Sequence, residues 1–167
     1  AWSSASTSVN GGSSRIGFGI QTAGIAAGGS TAPGNQTVVE EYNGSGWSTE
    51  TALPSVRQDG GGAGTTTAGL VWCGEGSGKL NTTQEYDGSS WSGGGNINSA
   101  RADVMAAGTL TAGLIMGGFQ NTGTFLFSET EEYNGSSWSE VNNMPTGAYS
   151  GSGTGTQTAA FVNNMYI

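Results

Sequence analysis

The side chains of this chain that could take part in chemistry are mostly carboxylates. Glu40/Glu41, Glu85 and Glu131/Glu132 recur at regular intervals, and Asp59 and Asp103 each stand two positions after an arginine, Arg57 and Arg101. A row of carboxylates can bind cations or a basic partner. The same row equally fits strand residues that face solvent and keep a sheet edge soluble, and that reading is preferred. Two carboxyls about 5 to 9 Å apart could cleave a glycosidic bond. Nothing in the spacing sets such a distance, so no catalytic residue is assigned.

Other chemistries are excluded by residue type. There is no histidine, which removes Ser-His-Asp and Cys-His machinery and imidazole metal ligation. The one cysteine, Cys73, rules out an intrachain disulfide framework and a cysteine-cluster zinc site. It reads most simply as a small buried hydrophobe. Carboxylates, tyrosines and one lysine remain. No enzymatic activity, cofactor or metal is expected.

Those residues need a framework. The chain has 167 residues, 32 of them glycine, against a usual frequency of about one in fourteen. Such a glycine content often signals disorder, but 34% of residues are hydrophobic and only 10% are charged, which argues for one folded domain. A net charge of −8 with 4 cations cannot neutralise many phosphates, so nucleic acid is not an expected partner. No apolar run reaches the ~18 residues that membrane insertion by a helix needs. The start, Ala1-Trp2-Ser3-Ser4, has neither Met nor a signal-peptide pattern, and reads as an excerpt or a processed product.

A repeat organises the chain. Trp2, Trp47, Trp91 and Trp138 are spaced by 45, 44 and 47 residues, and Thr22, Thr67, Thr111 and Thr158 keep the same steps. Each unit opens on a Gly-rich stretch. A Thr-Ala-Gly and an apolar run follow, as in Thr67-Ala68-Gly69-Leu70-Val71-Trp72 and Thr111-Ala112-Gly113-Leu114-Ile115-Met116. After a variable polar segment comes an acidic-aromatic piece around Tyr42, Tyr86 or Tyr133, then Asn-Gly or Asp-Gly, then the tryptophan. Asn-Gly between two such runs is a strong hairpin signal, since both residues tolerate positive φ. Each unit thus predicts four short strands, here a (Gly-rich), b (apolar), c (acidic) and d (Trp-bearing). The units fall at about 1–10 (partial), 11–55, 56–99, 100–146 and 147–167 (partial) of a single domain, residues 1–167.

Four strands per repeat of about 45 residues indicate an all-β fold, a β-propeller with one unit per blade and about 3.7 repeats here. Small residues in strand a fit a crowded axis, and glycine lets neighbouring backbones approach. The Tyr and Trp rows are structural markers that fill the wider rim.

The glycine pairs Gly28-Gly29 and Gly117-Gly118 after an apolar strand, followed by Tyr42 or Tyr133 and by Trp47 or Trp138, resemble the kelch repeat. The resemblance covers nearly the whole chain and implies a propeller. The second copy departs from it with Gly74-Glu75, the fourth with Asn163-Asn164, and the arginine before the a strand is present in two copies only. Phrases such as Thr130-Glu131-Glu132-Tyr133-Asn134-Gly135-Ser136-Ser137-Trp138 also look like Gly/Thr-rich kelch-like repeats of bacteriophage structural and tail-fibre proteins, notably marine ones. That likeness implies a non-enzymatic virion module, located on an extracellular particle. Its partners would be other virion proteins or a host-surface glycan or protein, with oligomerisation open. A carbohydrate-binding propeller of a secreted bacterial protein and a cellular kelch interaction scaffold are the alternatives.

Function on a repeated scaffold belongs to its irregular loops. The b–c loops span Ser30 to Gln36, Glu75 to Thr82 and Phe119 to Phe127. Phe119, Phe125 and Phe127 form a contact patch if exposed and local core if folded back. Arg57, Asp59, Arg101 and Asp103 either line one mouth of the propeller channel as a polar ligand site or serve as salt bridges and turn residues, the latter being preferred. Asn35, Asn43, Asn81 and Asn134 fit a glycosylation pattern that chance explains in so Ser/Thr-rich a chain. The expected assembly is a piece of a longer propeller, or else a tight four-bladed ring in which Trp2's strand joins the last a–b hairpin.

Overall fold

A computed structural model describes residues 6–120, 125–163 and 166–167 of the chain. Trp2 lies outside the described residues. All regular structure among them is β. The first unit holds β1 (Ile16–Ile20), β2 (Ala23–Ala27), the two short strands β3 (Ser30–Thr31) and β4 (Gly34–Asn35), β5 (Val39–Tyr42) and β6 (Trp47–Glu50). The second holds β7 (Gly61–Thr65), β8 (Ala68–Trp72), β9 (Thr83–Tyr86) and β10 (Trp91–Gly94). The third holds β11 (Met105–Thr109), β12 (Ala112–Met116), β13 (Thr130–Tyr133) and β14 (Trp138–Glu140). The fourth contributes β15 (Ser152–Thr156) and β16 (Ala159–Asn163). Three four-stranded antiparallel meanders result, β1-β2-β5-β6, β7-β8-β9-β10 and β11-β12-β13-β14, with β15-β16 as a hairpin and β3-β4 as a small one inside a loop. The expected a, b, c and d strands are all present in the first three units.

Local chemistry explains the two repeat markers together. Thr22, Thr67, Thr111 and Thr158 each end a two-residue a–b turn, as Ile20 pairs with Ala23 and Thr65 with Ala68. Just before each turn, Gly19, Gly64, Gly108 and Gly155 have φ of 113°, 105°, 112° and 114°, values open to glycine alone in practice. The threonine then packs on the c–d turn of its own sheet: Cβ atoms added at Gly44, Gly88 and Gly135 would touch Thr22, Thr67 and Thr111. One end of each four-stranded sheet is therefore closed by a Thr-on-Gly contact.

The c–d hairpin forms as expected, but in its turns the glycine alone, and not the Asn or Asp before it, takes positive φ. Tyr42 pairs with Trp47, so the loop has four residues, and only Gly44 has positive φ. Asn43 instead uses its side chain: its Oδ1 accepts from the N–H groups of Ser45 and Gly46, both at 3.0 Å. Asp87 and Asn134 repeat the arrangement.

The a strands lie side by side in the order β1, β7, β11, β15. Glycine permits this approach, because a Cβ on Gly62 would stand 2.7 Å from Ile16 Cγ2, and one on Gly153 would collide with the Ala106 carbonyl. The apolar core lies between sheets rather than within them. Ile16, Ile25, Val39 and Leu53 of the first unit pack on Val71 and Tyr86 of the second. Ala63, Leu70, Trp72 and Ile97 of the second pack on Ile115, Tyr133 and Trp138 of the third. Met105, Leu114, Met116 and Met144 of the third pack on Ala148 and Val162 of the fourth.

Backbone hydrogen bonds lock the same junctions. Ser14, Asp59, Asp103 and Ser150 hold equivalent places at φ of 55°, 52°, 52° and 54°. The Asp59 N–H donates to Ser14 O at 3.1 Å, Asp103 N–H to Asp59 O at 2.8 Å, and Ser150 N–H to Asp103 O at 2.8 Å. A second set joins Gly29 to Arg57 O, Gly74 to Arg101 O and Gly118 to Ala148 O. This register corrects the expected departure in the second unit. The pair equivalent to Gly28-Gly29 is Cys73-Gly74, and Cys73 itself takes φ 48°. Its thiol is fully buried, and burial pushes its pKa up to about 11.

Candidate binding face

The two ends of the sheets differ. The a–b and c–d turns form one end and repeat closely. The b–c loops and the segments entering strand a form the other, and Arg57, Asp59, Arg101, Asp103, Phe119, Phe125 and Phe127 fall there.

Arg57 and Arg101 do not line a channel mouth. Both are fully buried. Arg57 Nη1 donates to Cys73 O at 2.8 Å and Thr82 O at 2.9 Å, and its Nη2 donates to Thr82 Oγ1 at 2.8 Å. Arg101 Nη2 donates to Glu131 Oε1 at 2.6 Å, within a salt bridge whose side chains are 0% and 2% exposed. Each arginine ties the start or end of its unit's b–c loop from inside. The loops are thus mounted on buried struts. The first unit has such a strut too, which the sequence spacing hid. Arg15 stands three residues later than the equivalent of Arg57, and pairs with Glu40 while donating to Ala26 O at 2.9 Å.

The acidic row is correspondingly split. Glu40 and Glu131 are buried ion-pair partners rather than surface charges. Burial opposes ionisation of Glu40, but Arg15 and Asn10 outweigh it and hold its carboxyl below the ordinary range. Glu85 accepts a hydrogen bond from the Tyr133 hydroxyl. Burial, and then the Glu85 carboxylate, push Tyr133 up to about 12. An unfolded tyrosine titrates near 10, so the folded state keeps this proton longer. The stability it contributes is complete below about pH 10 and is lost as pH rises through about 12. Tyr133→Phe is expected to flatten the alkaline fall of the urea midpoint over that window. An unchanged fall would show that Tyr133 is not its source.

Asp59 and Asp103 are brought together as neighbours in the backbone ladder, each at positive φ. Burial first, then the Asp59 charge, raise the Asp103 pKa. Ser150 Oγ donates to Asp103 Oδ1 at 3.3 Å. Among the described residues, no cluster of three or more His, Cys, Asp or Glu has a metal-holding arrangement. Toward the a–b turns, a cleft of about 250 Å³ runs between the four a strands, faced by Gly17, Gly62, Ala106 and Gly153. No ionisable side chain lines it.

The three phenylalanines separate. Phe127 is buried, with the Arg101 guanidinium 5.1 Å from its ring centre. Phe119 lies under the Lys79 ammonium at 4.0 Å and edge-on to Tyr149 at 5.6 Å. Phe125 alone projects, at 73% exposure. The loops also lean on one another. Asn35 Nδ2 of the first loop donates to Glu75 O and Gly76 O of the second, at 3.2 and 3.1 Å. Lys79 of the second, bridged to Glu75 at 2.8 Å, covers Phe119 of the third. One continuous face results. One variable column of it is Ser30, Glu75, Phe119 and Tyr166, each bridged to the segment entering its own a strand. Alignment on the threonine marker puts these four in one column, so this signal was readable. The roles of Asn35, Lys79 and Tyr149 were not, because they depend on contacts between units.

Tyr and Trp pair across each c–d hairpin, and Tyr86, Tyr133 and Trp138 also join the cores between sheets. Tyr42–Trp47, Tyr86–Trp91 and Tyr133–Trp138 have ring centres 5.2, 4.7 and 5.0 Å apart. The tryptophan N–H groups are used as well: Trp47 donates to Ser6 O, Trp91 to Thr51 O and Trp138 to Thr83 Oγ1.

Compared with known proteins, the chain matches no family model and no curated protein.

Proposed function

We propose that this chain is a kelch-like β-propeller module that works without catalysis, as a virion structural or adhesion protein of a bacteriophage. In this reading it is a tail-fibre or capsid-associated part that presents its b–c face to other virion proteins or to a host surface. The observation that supports it is the confinement of variation to one face. Three sheets share framework, turns and core, while their b–c loops differ and interlock through Asn35 and Lys79. The phage assignment rests on the sequence likeness described above.

The test is fractionation of phage particles from a producing culture. Peptides of this chain should co-sediment with intact virions and should be accessible to antibody on them. Recovery only from cell fractions, with no particle association, would sink the reading. The exposed Phe125 ring also favours a second reading, a lectin-like propeller that stacks sugar faces. Phe125→Ala should leave the melting temperature unchanged and lower cell or glycan binding by about tenfold. Equal binding by the variant would remove Phe125 from the contact surface.

A further inference from the structure

The dipeptide Asn-Gly occurs at Asn10-Gly11, Asn43-Gly44 and Asn134-Gly135, and the fold gives it two different settings. Asn43 and Asn134 open the c–d turns of the first and third units and are exposed. The second unit has the exposed Asp87 in the same place, held by the same hydrogen bonds. Asn43 Oδ1 accepts from the Ser45 and Gly46 N–H groups, both at 3.0 Å. Asn134 Oδ1 accepts from those of Ser136 and Ser137 at 3.0 and 2.9 Å, and Asp87 Oδ1 from those of Ser89 and Ser90 at 2.8 and 2.7 Å. The glycines that follow, Gly44, Gly135 and Gly88, have φ of 91°, 91° and 94°. An amide and a carboxylate therefore fit this turn alike. The Ser90 N–H first, then the Ser89 hydroxyl and N–H, hold the Asp87 carboxyl well below the ordinary carboxylate range. Asn10 is set differently. Its Nδ2 donates to Glu40 Oε1 at 3.2 Å and its backbone N–H to the same oxygen at 2.9 Å, beside the Arg15–Glu40 ion pair. Loss of that amide nitrogen would set a second carboxylate against Glu40, a like-charge contact out of bulk water.

We infer that the c–d turns of the first and third units are modification sites, at which Asn43 and Asn134 exchange their amide nitrogen for a water oxygen and become the aspartate found at Asp87, while Asn10 stays an amide. The Gly44 nitrogen, which has no side chain beside it to shield it, attacks Asn43 Cγ. The N–Cγ bond forms, the Cγ–Nδ2 bond breaks, and Nδ2 leaves as ammonia with the proton from the glycine nitrogen. Water then opens the cyclic imide at one of its two carbonyls, and no oxidant or reductant is involved. Opening at Cγ restores the main chain and gives aspartate. Opening at the Asn43 carbonyl carbon routes the main chain through Cβ and gives isoaspartate. The fold separates the two outcomes. When water adds at Cγ, charge develops on Oδ1, the oxygen at which the Ser45 and Gly46 N–H groups are aimed. Isoaspartate instead adds an atom to the main chain of a loop whose ends are fixed by the Tyr42–Trp47 pair. Each converted turn adds one negative charge to the net −8, at the end of the sheets opposite the b–c loops. None of this depends on what the b–c face binds.

The full chain is aged in mildly alkaline buffer, folded and in urea. Peptide mapping by mass spectrometry follows each Asn-Gly pair, with isoaspartate told from aspartate by fragmentation. In urea all three pairs should convert at similar rates, mostly to isoaspartate. In the folded chain Asn43 and Asn134 should convert mainly to aspartate, and Asn10 at least about tenfold more slowly than either. The double variant Asn43→Asp/Asn134→Asp should keep the melting temperature of the unaltered chain. Conversion of folded Asn10 as fast as Asn43, amides that persist at Asn43 and Asn134, isoaspartate as their main folded-state product, or a lowered melting temperature of the double variant would each overturn the proposal.

Discussion

Arg101→Met is expected to destabilise the fold by about 3–5 kcal/mol, measured as a lower urea midpoint at unchanged m-value. Arg101 and Glu131 form a 2.6 Å ion pair, fully out of water. Removing the guanidinium leaves Glu131 as a buried charge with no counter-ion among the described residues, where the Asn98 N–H at 2.9 Å still donates to it. The loss therefore exceeds that of the hydrogen bonds themselves. The double variant Arg101→Met/Glu131→Leu is expected to recover most of the stability, because two well-packed apolar side chains remove both desolvation costs. Arg57 is the internal comparison. Its acceptors are the Cys73 and Thr82 carbonyls and the Thr82 hydroxyl, with no carboxylate. Arg57→Met should cost only about 1–3 kcal/mol, the scale of unmatched buried acceptors. If the two arginines cost the same, the ion pair is not what makes Arg101 important.

The second large effect is expected at the a–b turns. Gly64→Ala and Gly108→Ala should each destabilise by about 2–4 kcal/mol, as backbone strain adds to a steric clash. Their φ angles of 105° and 112° lie beyond the left-handed helical well that other residues occasionally visit. An added Cβ would also run into the carbonyl of Ala68 or Ala112 across the hairpin, which is backbone and cannot swing aside. Gly93→Ala is the control, since nothing lies within 4 Å of its added Cβ. It should change stability by less than about 0.5 kcal/mol. A loss at Gly93 equal to that at Gly108 would mean that turn geometry does not set the effect.

Much of the strand framework was legible in the sequence, because both its markers report local geometry. The threonine column ends the a–b turns, and the tryptophan column stacks on its tyrosine partner across the c–d hairpin. The same is true of the glycines in strand a, which answer to close backbone approach. Side chains whose partners come from another stretch of chain were less legible. Asn43 caps a four-residue loop with its amide oxygen, a role that its Asn-Gly spelling does not separate from a tighter turn. Arg15 supplies the first unit's strut from a different position, so a column search passes over it. The three phenylalanines are near neighbours in sequence, yet one is buried under Arg101, one is held by Lys79 and Tyr149, and one is exposed. Their separation is decided by the adjoining loop and by the buried arginine, neither of which is local.

The ladder through Ser14, Asp59, Asp103 and Ser150 has a consequence for how such a chain changes over generations. At each step the same backbone position donates to the preceding unit and accepts from the following one. A whole block of 44 to 47 residues can therefore be duplicated or lost between equivalent positions, and every junction finds the partners it had before. A slip of one residue has no such freedom, because it turns each strand's apolar side outward. Gene length in this lineage is accordingly expected to vary in whole blocks, with residue-by-residue novelty collecting in the loops that the arginine struts hold in place.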